Sequence, residues 1–331
     1  MTKGTLFILG GTGFIGQETV AEALKAGWEV KALVRSPEKA GRLAQIGASV
    51  ITGDVARPEA WIDAVQGSKI LIDLTQPALP KRLTVKAIQK VSIQRQQATA
   101  KFLQALTNIG VENRPLYFSI SGADDLQPVG GNSNAPGRID HNSPLRQKAR
   151  GFAHIGLPVR RLIEDSPVAA TYIYFGNLVY GPGKIFAEQY LKGLSKGTAR
   201  LLGSGSNHLP LVHVRDAARA LVHLAGLPLS DLSEQTLLVM DGSNATQREL
   251  LDETADQLGV KRPGNIPKWL AALAAGSVAV ETLTLDVQAD PSALLATGFR
   301  FQYPSIRAGI AVTLAQFNQS GEAAGVLAEE A

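Results

Sequence analysis

The segment "LFILGGTGFIG", residues 6–16, constrains the fold more than any other stretch. An apolar run leads into Gly10, Gly13 and Gly16, and an amphipathic stretch follows to Ala26. Glycines three apart between a strand and a helix suit one ligand in particular. Gly10 permits the tight turn, and Gly13 lets the backbone approach a pyrophosphate whose charge sits at the helix N-terminus. Thr12, Phe14, Ile15 and Gly16 complete this candidate phosphate loop. The competing reading is a glycine-rich turn with no ligand. The position directly after the first strand and before the first helix weighs against it.

Strand-like and helix-like segments alternate through the first half. "EVKALVR" is followed by "SPEKAGRLAQIG", with Ser36 as an N-cap candidate and Pro37 at the first helical position. "ASVITGD", "KILIDLT" and "RPLYFSISG" read as further strands, and Val91 to Ile109 as a long helix. Alternation with short connections predicts an α/β fold, a Rossmann-like doubly wound parallel sheet with helices on both faces. Asp124 to Arg150 interrupts the pattern, is rich in Gly, Pro, Asn and Asp, and reads as a long loop of a kind that is often functional. The expected division is a dinucleotide-binding domain over 1–180, to which 206–228 returns. A smaller, mainly C-terminal substrate lobe takes 181–205 and 229–319, and 320–331 is expected to be a flexible tail.

Composition removes several classes. A chain of 331 residues, 45% hydrophobic and 19% charged, fits a globular protein with a sizeable core. The formal charge of +4 is small, and no dense Lys/Arg patch is interleaved with aromatics, so nucleic acid is not expected as a partner. The absence of cysteine excludes disulfides, thiolate zinc sites and cysteine nucleophiles, and fits a reducing, cytoplasmic setting. The opening residues read as a strand rather than a signal peptide. There is no uninterrupted apolar run of about 18 residues, so no membrane span and no membrane partner are expected. "WLAALAAGSVAV", Trp269 to Val280, is too short to span and reads as a buried helix. The five histidines show no metal-ligand spacing, and no metal is expected.

Three further motifs follow the glycines in order: "GNLVYGPG" (176–183), "LPLVHVRDAARA" (209–220) and "GFRFQYPSIRAGI" (298–310). With them the chain resembles the extended branch of the short-chain dehydrogenase/reductase superfamily, which includes sugar-nucleotide epimerases and dehydratases. The resemblance covers nearly the whole chain. It implies that Asp54, with Val55, meets an adenine edge. It also implies that Thr75 and Gln76 line the cofactor at the end of the fourth strand, and that Asn177 lies near the nicotinamide.

The cofactor type can be argued locally. An NAD-type site has Asp or Glu at the end of the second strand, bonding the ribose diol. This chain has "ALVRSPEK" there, with Arg35 at that place, Ser36 beside it and Lys39 nearby. A guanidinium suits a 2'-phosphate, so NADP(H) is expected rather than NAD(H). The competing reading of Arg35 is an ordinary exposed arginine.

The superfamily's redox device combines a Tyr, a Lys four residues later, and a Ser at the end of the fifth strand. Ser121 in "YFSISGAD" matches the Ser, with Ser119 as its neighbouring alternative. "SPLRQKARGFAHIGLPVRRLIED" aligns with the Tyr/Lys segment without a gap and puts Phe152 and Gly156 at those two positions. Neither carries an ionisable proton. The one literal Tyr-x-x-x-Lys, Tyr180 to Lys184, encloses Gly181, Pro182 and Gly183, which break any helix. His154 lies between the two lost positions and can act as an acid or base near neutral pH. In a regular helix it faces away from the side that Phe152 and Gly156 share, and it is then structural. An irregular segment over 151–156, or a helix that starts near Leu157 with Pro158 in its first turn, makes it available. Asp124, Asp125, Asp140 and His141 flank or occupy the long loop, and Tyr174 is a candidate for the pocket wall.

The expected protein is an NADP(H)-binding enzyme acting on a small organic substrate through a non-standard active site, of oxidoreductase or epimerase/dehydratase type. The alternatives are a non-redox cyclase, lyase or isomerase on the same scaffold, and a non-catalytic NADPH-binding regulatory protein. The resemblance alone also implies a homodimer.

Overall fold

The computed structural model describes residues 3–329 except 37, 39, 132–134 and 185, with side chains in the last helix described as far as Phe317. The elements run β1 (Thr5–Leu9), α1 (Phe14–Lys25), β2 (Glu29–Val34), α2 (Gly41–Gln45), β3 (Ser49–Thr52), β4 (Ile70–Asp73), α3 (Val85–Thr107), β5 (Leu116–Gly122), β6 (Gly137–Ile139), α4 (Ala153–Glu164), β7 (Ala170–Phe175) and β8 (Leu178–Tyr180). Then come α5 (Lys192–Ser195), β9 (Arg200–Leu202), β10 (Leu211–His213), α6 (Val214–Ala225), β11 (Thr236–Val239), α7 (Gln247–Leu258), β12 (Gly264–Ile266), α8 (Lys268–Ala275), α9 (Ser277–Leu283), β13 (Val287–Ala289), α10 (Ser292–Ala296) and α11 (Ile306–Glu329).

Seven strands form one sheet in the order β11-β7-β5-β4-β1-β2-β3, and every pair is parallel. The chain winds one way from β1 to β3 and the other way from β4 onward. The switch point therefore lies between β1 and β4, where sheets of this kind open a ligand crevice at the strands' carboxyl ends. Alternation along β1 divides the core. Leu6 and Ile8 pack with Val20 and Ala23 of α1 and Ala217 and Leu221 of α6 on one face. Phe7 and Leu9 pack with Phe102, Leu103 and Leu106 of α3 and Val159 and Ile163 of α4 on the other.

The structure departs from the sequence reading at several places. β11, placed by its pattern in the smaller lobe, is the edge strand beside β7. An apolar strand buried on both faces reads alike in either setting. The "SPEK" helix starts only at Gly41, and Pro37 and Lys39 lie outside the described residues. The long loop contains β6, which pairs with β13. The apolar stretch from Trp269 is two helices, α8 and α9, which meet at Gly276, and much of α8 is exposed. The presumed tail falls at the end of α11, beyond the described side chains.

α4 starts at Ala153, not near Leu157, and carries Pro158 inside it. Proline has no N–H, so the carbonyl four residues earlier, that of His154, loses its helical partner. Ser92 Oγ on α3 donates to that oxygen at 2.6 Å and restores the bond.

Candidate functional site

The glycine loop has the geometry its spacing implied. Gly10 has φ +79°, and a Cβ there would meet the Leu74 carbonyl at 2.8 Å. A Cβ on Gly16 would lie 2.1 Å from Gly10 O. The β1–α1 turn thus presses against both the β4 end and its own helix, closer than any side chain allows. Gly13 N–H donates to Gly10 O at 2.8 Å, and Gly13 precedes α1 with no side-chain cap. The first turn of α1 has no acidic residue, so its N–H groups and dipole face an anion without competition. Thr12 O is held by Gln17 Nε2 at 2.9 Å, and Arg42 holds Gln17 in turn at 3.2 Å. The Phe14 ring lies against Gly181 and Gly183, and Ile15 joins the core below. This cradle fits a dinucleotide's diphosphate.

At the next strand ends, Arg35 follows β2 directly and is exposed. Ser36 Oγ donates to Glu38 at 3.3 Å. Asp54, just past β3, accepts from Ala56 N–H at 2.9 Å, and its carbonyl accepts from Trp61 Nε1 at 2.8 Å. The Asp54–Val55 turn is therefore anchored to the core through Trp61. Arg35 sits at the carboxyl end of β2, the neighbour of β1, and Asp54 just past β3, one strand further out.

At the end of β4 the structure reveals a network that the sequence did not signal. Asp73 accepts from Arg95 Nη2 at 2.6 Å, from Tyr117 Oη at 2.9 Å, and from the Thr75 N–H at 2.9 Å. The Thr75 hydroxyl also bonds Asp73, and Arg95 Nη1 donates to it at 2.7 Å. Burial alone would raise the Asp73 carboxyl; Arg95, Thr75 and Tyr117 outweigh that and hold it below the usual range. Thr75 is thereby fixed at the crevice floor, with Gln76 exposed beside it.

The centre of the site lies where β5 and β7 end. Ser121 Oγ donates to Asp125 Oδ2 at 2.5 Å. Asp125 is 1% exposed, and burial, with Asp124 adding to it, pushes its carboxyl up to about 7. The neighbouring Asp124 is also raised by burial. Asp124 accepts from Phe152 N–H at 2.9 Å, Asn177 Nδ2 at 2.8 Å and Thr282 Oγ1 at 2.7 Å. It thus ties the start of α4, the β7 end and α9 together. Asn177 Oδ1 is buried with no hydrogen-bond partner among the described residues, an acceptor left open beside this centre. Gly151, at φ +55°, turns the chain into α4 against Asp124 and Thr282 and donates to Glu281 at 3.0 Å.

Phe152 and Gly156 flank this centre. A Cβ on Gly156 would lie 2.2 Å from Asp125 Oδ2. The Asp125 carboxylate therefore occupies the space next to the residue that aligns with the missing lysine. α4 runs from Ala153, so His154 stands in its first turn and the helix does not start near Leu157. The His154 ring has no hydrogen bond among the described residues. Tyr174 is 2% exposed and packed under α4, where Arg160 donates to its hydroxyl at 3.3 Å; it belongs to the core rather than to a pocket wall. Tyr180 ends β8 fully buried, while Lys184 has φ 56°, so this pair shares no helix. Asp140 closes its own turn through Asn142 N–H at 2.9 Å. Sequence reasoning named Asp125 among the acids that flank the loop but gave it no catalytic role. The available signal was a pair of acids three and four residues past Ser121.

Fold and cradle together define a dinucleotide-binding Rossmann protein. The chain belongs to the NAD(P)H-binding family, whose model matches residues 10–185, just over half of it. Residues 266–311 match a domain of unknown function, DUF1731. An epimerase family protein SDR39U1 homolog, chloroplastic, of Arabidopsis thaliana is 26% identical over 314 residues, covering 92% of this chain and 84% of that protein. Photosystem II assembly factor Ycf39 of Trieres chinensis is 41% identical over 85 residues, 25% of this chain, so the match spans about a quarter (26%) of that relative's length. Among solved structures, human epimerase family protein SDR39U1 (isoform 2) with NADPH superposes with a TM-score of 0.72 at 20% identity, covering 93% of this chain and 98% of that one.

Proposed function

We propose that the protein is an NADP(H)-dependent oxidoreductase of the epimerase/reductase type, acting on a small organic substrate, in which Ser121 and Asp125 replace the superfamily's Tyr/Lys pair. The observation that carries this reading is the buried Ser121–Asp125 hydrogen bond set against Gly156. Gly10, Gly13, Gly16 and the first turn of α1 would hold the diphosphate. Arg35 and Ser36 would hold a 2'-phosphate, and Asp54 and Val55 the adenine side. Thr75, Gln76 and Asn177 would border the nicotinamide half. When bound, the nicotinamide supplies or accepts a hydride. The protein's part is to move a proton at Ser121 Oγ. A carboxyl raised to about 7 is part-protonated at neutral pH. It can refill the serine hydroxyl as that hydroxyl gives its proton to a substrate oxygen, and the reverse direction runs through the same two atoms. The human SDR39U1 structure with NADPH supports the choice of cofactor.

The test is a panel of small carbonyl compounds with NADPH, run on wild type and Asp125→Asn. Asn keeps an acceptor for Ser121 but carries no transferable proton, so turnover is expected to fall by about 10²-fold or more. Equal turnover in the two proteins would refute the assignment. A second reading is favoured by Phe152 and Gly156, which remove both usual catalytic groups. It is a non-catalytic nucleotide-binding protein that helps assemble a partner, as the name of the Ycf39 relatives says of them. Under it, NADPH binds and no compound is turned over.

A further inference from the structure

α8 carries its apolar stripe on the outside. Trp269, Leu270 and Leu273 are 67%, 42% and 58% exposed, while Ala271 is buried. Their spacing puts all three on one helical face. The Leu83 main chain is clamped to the α8–α9 junction: its N–H donates to Ala275 O at 2.7 Å and its carbonyl accepts from Val278 N–H at 3.0 Å. Gly276 has φ +94° and lies so close that a Cβ would meet the Leu83 carbonyl carbon at 2.4 Å. The clamp fixes the 79–86 segment at the C-terminal end of α8. Leu79 and Val85 on that segment are 37% and 38% exposed.

Charge on the two segments is one-sided. No Asp or Glu occurs from 74 to 111 or from 257 to 280. Lys81, Arg82, Lys86, Lys261 and Lys268 are all exposed, and none pairs with a carboxylate among the described residues. Arg262 is engaged with Asp256 at 2.6 Å and is not counted. An exposed tryptophan with leucines on a helix, bordered by lysines and arginine without an acid, is the pattern of a helix that lies in a membrane interface. No helix of the described residues is long and apolar enough to cross a membrane.

We propose that α8 and the 79–86 segment form a peripheral docking surface for an anionic lipid bilayer, with Trp269, Leu270 and Leu273 entering the headgroup region and Lys81, Arg82, Lys86 and Lys268 meeting lipid phosphates. This departs from the expectation of no membrane partner. That expectation searched for a spanning run, and it took α8 to be buried.

Tryptophan emission makes the test direct. Trp28 and Trp61 are 4% and 3% exposed, so of the three tryptophans only Trp269 can change environment at the surface. The full chain is mixed with vesicles of phosphatidylcholine, with or without phosphatidylglycerol. Emission and co-sedimentation are then read. The expected result is a blue shift and co-sedimentation with the anionic vesicles, suppressed by salt. Both signals are lost in a Trp269→Ser/Leu270→Ser/Leu273→Ser variant that melts like wild type. Lys81→Glu/Arg82→Glu is expected to weaken binding by about tenfold or more. No co-sedimentation with anionic vesicles overturns the proposal. So does binding that survives the serine variant, or binding that is equal on neutral vesicles. A blue shift that grows with protein concentration alone, together with a dimer mass, overturns it in favour of a second copy of the chain.

Discussion

Asp125 and Gly156 meet across the β5–α4 packing so closely that a methyl group on the glycine would lie 2.2 Å from one carboxylate oxygen and 2.3 Å from the other. The contact explains why a glycine is kept inside a helix that it weakens. An alanine would favour the helix by about 1 kcal/mol, but overpacking against a buried carboxylate costs about 1–3 kcal/mol. Gly156→Ala is therefore expected to destabilise the protein. In an Asp125→Ala background the same change should cost little or become favourable. A double-mutant cycle by urea denaturation checks this, and additive effects would contradict the packing argument.

The raised carboxyl of Asp125 gives a pH prediction with a definite sign. Its folded value is about 7, and its unfolded value is near the ordinary aspartate value of roughly 3.9. Between about pH 4 and pH 7 the folded chain holds a proton that the unfolded chain has released. Stability from this group therefore falls as pH rises through that window. Asp125→Asn removes the slope. The variant should gain on wild type by up to about 4 kcal/mol at pH 8, with the two converging near pH 4. Asp241 is also raised to about 7 by burial, but it contributes equally to both proteins. A stability difference that is constant across this range would show that Asp125 does not titrate there.

Arg35 directly follows β2 and has no hydrogen-bond or ion-pair partner among the described residues, so cofactor preference is testable there. NADPH is expected to bind more tightly than NADH. Arg35→Ala should cost NADPH about 1.5–3 kcal/mol, roughly ten- to a hundredfold, and leave NADH nearly unchanged. Two dissociation constants for each protein decide it, and equal wild-type affinities would remove Arg35 from the site.

Ser92 and Pro158 form a compensating pair. Ser92→Ala leaves the His154 carbonyl without a partner and is expected to cost about 1–3 kcal/mol. Pro158→Ala supplies the missing N–H to that carbonyl. Ser92→Ala made in that background should therefore cost clearly less. Chemical denaturation of the four proteins measures the coupling. Equal costs in both backgrounds would mean that the Ser92 hydroxyl does not stand in for the bond that Pro158 removes.

Much of the binding half was legible because its signals are local. A strand, three glycines and a helix N-terminus lie within eleven residues, and the steric demand on Gly10 and Gly16 is met within that loop and at the β4 end beside it. Parallel order followed from alternation, since a parallel pair needs a crossover between its strands. Arg35 could be placed because it directly follows a strand. That positions 152 and 156 carry no phenol and no ammonium could be read directly, since the sequence has Phe and Gly there. The sequence could not show what fills the gap. Asp125 becomes a proton-holding group only because β5, α4 and the 124–150 segment close over it and remove its water. Asp73 and Arg95 are 22 residues apart and become a pair only when β4 and α3 pack. α8 carries the converse lesson. Its apolar pattern is the same whether it faces a core or a surface, and only packing against α9 and Leu83 decided that Trp269 points outward. Local chemistry is written in the order of residues, but burial and proximity between distant residues belong to the folded chain.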